Sequence, residues 1–152
     1  MRKFILLATL SLGVAAAQDL PNLNGTWQLD PAHSQGVDSK VKTETLTFHQ
    51  TDDGVTLTEI ITDTGGKETK TDIQCKTDGN RCKLKQGTVS LWYDATALLL
   101  MEERRGGNVV LKRRFQPSED GKTLTVEVTP IAPPGQKGGS LTFLKQADTA
   151  GQ

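Results

Sequence analysis

"LNGTWQLDPAHS", residues Leu23 to Ser34, decides the fold of this chain. Asn24-Gly25 is a turn-forming pair, and it runs straight into Trp27, one of only two tryptophans in the chain. Pro31 then breaks the segment again. A large aromatic placed here reads as the opening of a first β-strand, with Trp27 packed into a core. Asn24-Gly25-Thr26 also matches a glycosylation sequon, a short motif of low specificity.

On the N-terminal side, "MRKFILLATLSLGVAAAQ" starts with basic Arg2 and Lys3. An apolar run follows from Phe4 to Val14, too short to span a bilayer. Ala15-Ala16-Ala17 supplies small residues at the cleavage-determining positions. Residues 1–17 therefore read as a secretory signal peptide cut after Ala17, and the expected location is secreted or periplasmic. No cysteine follows the run to take a lipid anchor. Nothing later is apolar enough to cross a membrane, so no stable membrane insertion is expected. Residues 18–146 then form one domain, large enough for its own core, and 147–152, "ADTAGQ", is expected to be a disordered tail. The leader holds two of the 18 basic and none of the 18 acidic residues, so the mature chain carries a net charge of −2. That balance gives no footprint for nucleic acid.

Cys75 and Cys82 are the only cysteines. Export and an even count favour a disulfide over a metal or redox site. Asp78-Gly79 between them is a hairpin signal. With that pair as the loop, the two cysteines sit opposite each other, and the bridge staples one hairpin. The same register sets Lys76 against Arg81, an unfavourable like-charge pair that a longer loop avoids.

Elsewhere the pattern is period two. Turn signals recur at Asp53-Gly54, Gly65-Gly66, Asp78-Gly79, Gly87, Gly106-Gly107 and Asp120-Gly121, with β-rich runs between them. "VKTETLTFHQ" places Leu46 and Phe48 on one face. "VTLTEIIT" groups Val55, Leu57, Glu59 and Ile61. "TVSLWYD" groups Val89, Leu91 and Tyr93, while "ATALLLMEE" is apolar on both faces. "NVVLKRRFQ" groups Val109, Leu111, Arg113 and Phe115, and "KTLTVEVTP" groups Leu124, Val126 and Val128. "SLTFLKQ" closes the series. About nine strands with short links predict an all-β fold: an antiparallel up-and-down barrel of about eight to ten strands, which removes its edges by closing. "PIAPPGQKGG", residues 130–139, is expected to be an exposed loop, because its prolines exclude a central strand.

Gly25-x-Trp27 at the entry of such a barrel resembles the signature of the lipocalins and wider calycins. There the glycine permits a tight entry and the ring closes one end, so Gly25 and Trp27 take structural roles. More narrowly, "GTWQLDPAHS" and the late "DGKTLTV", Asp120 to Val126, are similar to a group of small secreted bacterial lipocalin-like proteins. The resemblance implies a barrel with a small-molecule pocket and a basic side chain packed over the tryptophan. The last strand offers only Lys145 for that place; Arg113 and Arg114 are the other candidates.

The inventory for catalysis is thin. His33 and His49 are the only histidines, and neither has ligand spacing to another histidine or cysteine. "DTGGKETKT" lacks the phosphate-loop spacing, and Arg104-Arg105 reads as a charged strand end. No catalytic residue, metal ligand or cofactor is expected. The pattern that stands out is polar residues on apolar faces: Glu59, Tyr93 and Arg113. Either they lie at strand ends and reach water, or they meet the polar head of an apolar or amphiphilic ligand. In the second case Arg113 would take an anionic head, with Glu59 holding it when empty. The expected function is a carrier of such a ligand. The alternative is a protein-binding module, such as a protease inhibitor acting through its N-terminal arm "QDLPNLN", with no small ligand.

Overall fold

The computed structural model describes residues 19–148 of the 152. The expected signal peptide, residues 1–17, lies outside the described residues, as do residues 149–152 of the expected tail. The fold is all-β, with ten strands: β1 Gly25–Leu29, β2 Val41–Gln50, β3 Gly54–Asp63, β4 Glu68–Lys76, β5 Asp78–Leu84, β6 Gly87–Asp94, β7 Ala97–Arg104, β8 Val109–Pro117, β9 Thr123–Ala132 and β10 Gly139–Lys145. They form one antiparallel sheet in the order β4-β3-β2-β1-β10-β9-β8-β7-β6-β5. Chain neighbours other than β4 and β5 pair antiparallel, and β1 pairs with β10, joining the two ends of the domain.

The sheet curls until its two end strands, β4 and β5, lie edge to edge. Among the described residues no backbone ladder joins them. The Cys75–Cys82 disulfide crosses this seam, with the Cα atoms 5.7 Å apart. The barrel is thus nearly closed, and the bridge staples its seam rather than a paired hairpin. Asp78-Gly79 is not the turn that the sequence suggests. Thr77 alone links β4 to β5, and Asp78-Gly79 opens β5, whose register against β6 shifts between Asp78 and Arg81. The like-charge pairing of Lys76 with Arg81 does not arise, since no β4–β5 ladder forms. The polar β5 is the strand that alternation misses.

Alternation otherwise builds the interior. Leu46, Phe48, Val55, Leu57, Ile73, Val89, Leu91, Leu98, Leu100, Phe115, Leu124, Val126 and Phe143 are all buried in one cluster with Trp27. Phe48 and Phe115 meet edge to face at 5.3 Å. These side chains pack against one another in the half of the barrel that holds the turns at 51–53, 95–96 and 118–122.

The N-terminal arm closes that end. Leu23 is 0% exposed; its N–H donates to Gln50 Oε1, and the Trp27 indole N–H donates to its carbonyl at 2.8 Å. Gly25 has φ of +112°, and a Cβ there would lie 2.8 Å from Lys145 Cε. Glycine is needed both for that backbone and for the room. The room lets the Lys145 ammonium lie 4.7 Å from the Trp27 ring centroid. Lys145, not Arg113 or Arg114, takes the basic place over the tryptophan. Asn24-Gly25 is a strand entry rather than a hairpin turn.

β9 runs three residues into the stretch expected to be loop. It pairs with β10 only as far as Val128–Gly139. Beyond that point it has a single neighbour, β8, so Pro130 needs no ladder donor on its free side. The loop itself is 133–138.

Candidate functional site

Above the apolar cluster, toward the end of the barrel that holds the 30–40 link and the 105–108 and 133–138 loops, the interior changes character. Glu44 from β2, Glu59 from β3, Glu102 from β7 and Arg113 from β8 are all buried, between 3% and 8% exposed. The inward alternation that buries Leu46 and Phe48 also carries Glu44 inward. The same rule carries Glu59 with Val55 and Leu57, Glu102 with Leu98 and Leu100, and Arg113 with Phe115.

Arg113 Nη1 donates to Glu59 Oε1 at 2.6 Å. The guanidinium carbon lies 5.5 Å from the Phe115 ring centroid, a further favourable contact for a cation. Arg113 Nε is buried and has no hydrogen-bond partner among the described residues. Glu102 Oε1 accepts from Arg104 Nε at 2.5 Å, and the Arg104 side chain reaches the surface. Burial, and then the neighbouring Glu59 carboxylate, push the Glu44 carboxyl up to about 7 against the pull of Arg113. Burial works against the charge on Arg113, but Glu59, Glu102 and Glu44 outweigh it and hold the guanidinium protonated.

A cleft of about 320 Å³ opens at the seam beside this layer. Its walls are Thr69 to Asp72 of β4 and Leu84 to Gln86 at the end of β5, and it reaches inward to Glu102 and Arg104. No ladder closes the seam there, and the cleft follows the unpaired edges inward as far as Glu102. Among the described residues no group of three or more His, Cys, Asp or Glu side chains is arranged to hold a metal ion.

The structure brings Glu59 and Arg113 together but not Tyr93. The Tyr93 hydroxyl accepts from Gln50 Nε2 at 2.8 Å, and the same Gln50 Nε2 also donates to the Pro21 carbonyl. Tyr93 therefore ties the arm to the plugged end. Glu59 and Arg113 are not at water-exposed strand ends. Sequence reasoning missed Glu44 and Glu102, although both carry the same signal: a carboxylate two residues from a buried leucine on one face. His33 is exposed and paired with Asp30 at 2.6 Å.

No family model matches the chain, and no curated protein does. Solved structures do. A fatty-acid-binding protein 1 from Echinococcus granulosus aligns with TM-score 0.60 at 14% identity, covering 82% of this chain and 98% of that one. A secretory abundant heat soluble protein from Ramazzottius varieornatus aligns with TM-score 0.62 at 11% identity, covering 85% and 98%. A Schistosoma mansoni fatty-acid-binding protein in complex with arachidonic acid aligns with TM-score 0.55 at 16% identity, covering 82% and 96%. The fold is that of these calycin-like barrels.

Proposed function

We propose that this chain is an exported binding protein of the small bacterial lipocalin-like kind, which carries an amphiphilic small molecule. The observation that carries the reading is the buried Glu59–Arg113 pair, set with Glu44 and Glu102 above the apolar cluster and beside a cleft at the open seam. A buried ion pair adds little net stability compared with apolar packing. An interior polar group near an entrance is instead the usual way to orient a ligand head. The likeness to proteins named for fatty-acid binding agrees with this reading, as does the disulfide with an oxidising compartment. The protease-inhibitor alternative loses support, because Pro21 and Leu23 of its arm are buried in the barrel's own end.

Native mass spectrometry of the protein purified from its own host tests the reading. A retained small molecule on a chain that starts at Gln18 is the expected result. A retained protein partner with no small molecule would favour the module.

A further inference from the structure

The geometry points to a cationic rather than an anionic ligand head: a protonated amine with an adjacent hydroxyl or carbonyl oxygen, drawn in by three buried carboxylates that one buried guanidinium does not balance. This rests on the ligand-binding reading above and sharpens it.

The charge count comes from the strands that meet in the layer. β2 gives Glu44, β3 gives Glu59, β7 gives Glu102 and β8 gives Arg113, all buried. Arg104 from β7 answers Glu102 from the surface side. Even with both arginines counted, one carboxylate remains in excess. At the cleft rim Lys70 is paired with Asp72 at 3.5 Å, and Lys85 is exposed. In water such charges are screened and hold a headgroup weakly.

Arg113 is already bonded to Glu59 and held charged by Glu102 and Glu44 as well. A carboxylate head would need to displace Glu59 and would bring a fourth acid into the layer. An ammonium head supplies the missing charge and leaves the Glu59–Arg113 bond in place. Arg113 Nε, whose side chain is 8% exposed, is a buried donor without an acceptor. A neutral oxygen next to the amine would satisfy it.

In the empty protein the excess is relieved by a proton on Glu44, whose affinity for it is raised by burial and by Glu59. Arrival of the ammonium breaks the Glu44 O–H bond and sends that proton to solvent, while the amine keeps its own. Binding of an amine should thus release a proton and tighten as pH rises through about 7.

Isothermal titration calorimetry of the purified protein with oleylamine, oleyl alcohol and oleic acid tests this. All three share one chain and differ in the head. Near neutral pH, oleylamine should bind about tenfold tighter than the alcohol or the acid, a difference of one decade in Kd. Its affinity should rise between about pH 6 and about pH 8, where an alkyl amine stays protonated. Titration in two buffers of different ionisation enthalpy should register proton release. Glu44→Gln, isosteric and checked for folding by its melting curve, should lose both the pH dependence and the proton release. Equal binding of the alcohol, or tighter binding of the acid, overturns the cationic head and leaves a ligand-binding barrel. Failure of all three to bind overturns both.

Discussion

Trp27 and Lys145 stand opposite each other in the β1–β10 ladder, and the ring is wholly buried under the ammonium. Trp27→Ala should therefore cost about 3–5 kcal/mol, the usual range for deleting a large core aromatic. Trp92→Ala, on the outer face, should cost less; urea denaturation of both variants checks this. Lys145→Met should lose about 0.5–2 kcal/mol and Lys145→Arg should recover it, if the contact is of the cation–π kind. The tryptophan is legible in the sequence because Gly25-x-Trp27 is a local pattern. Its cation is not, because only closure of the barrel sets β10 beside β1. The Glu59–Arg113 pair gives a second test at this scale. Arg113→Met leaves Glu59 without its cation and should cost about 3–5 kcal/mol. Glu59→Leu combined with Arg113→Met should recover most of that loss. A double variant as unstable as the single one would place the cost in packing rather than in charge.

β4 and β5 are the elements whose edges stay open, and the bridge between them does the work that a ladder does elsewhere. Alternation found most of the other strands because each of those has a buried face. β5 has hardly any: four of its seven residues in a row, Asp78 to Arg81, are exposed. A strand held mainly by one neighbour and a disulfide carries no hydrophobic signature. The closed loop is short, with a sequence separation of 7, so the bridge should contribute about 2.5 kcal/mol by loop entropy. Cys75→Ala with Cys82→Ala should lower stability by about that amount. Hydrogen exchange should localise the effect. Amides of β4 and β5 should lose protection first, while those of β1 and β10 keep theirs. Uniform loss across all strands would mean that the seam is not an independently opening unit. The cleft lies along these edges, so the same variant should also exchange ligand faster.

Across the whole molecule, the all-β meander and most of its inward faces could be read from period two and turn spacing. The site could be read only in part. Glu59 and Arg113 announce themselves as charges among apolar neighbours, but their partnership spans β3 and β8, and only the barrel brings those strands face to face. Tyr93 gave the same local signal, yet it sits at the plugged end, because alternation fixes a face and not a height along the axis. The layer as a whole governs how stability responds to pH. Glu44 titrates near 4.5 when free, and burial with Glu59 beside it raises that to about 7 in the fold. Between those values the folded chain holds a proton that the unfolded chain has released. The free energy of unfolding should therefore fall as pH rises across that window, by at most about 1.4 kcal/mol per pH unit, and level off above it. The acids outside this layer act in the opposite sense at lower pH. Hydrogen bonds hold Asp30, Asp72, Asp78 and Asp120 below the usual range, so their contribution is lost as pH falls through their folded values. Stability should peak on the acid side of neutrality, below the range of about pH 5–8 in which most proteins are most stable. Urea denaturation at steps from about pH 4 to about pH 8 measures the profile. Glu44→Gln should flatten the descending limb and exceed the wild type at the alkaline end, since the amide never has to carry a buried charge. A wild-type profile that is level from about pH 5 to about pH 8 would mean that Glu44 ionises freely, and that the layer holds no charge excess for a ligand to relieve.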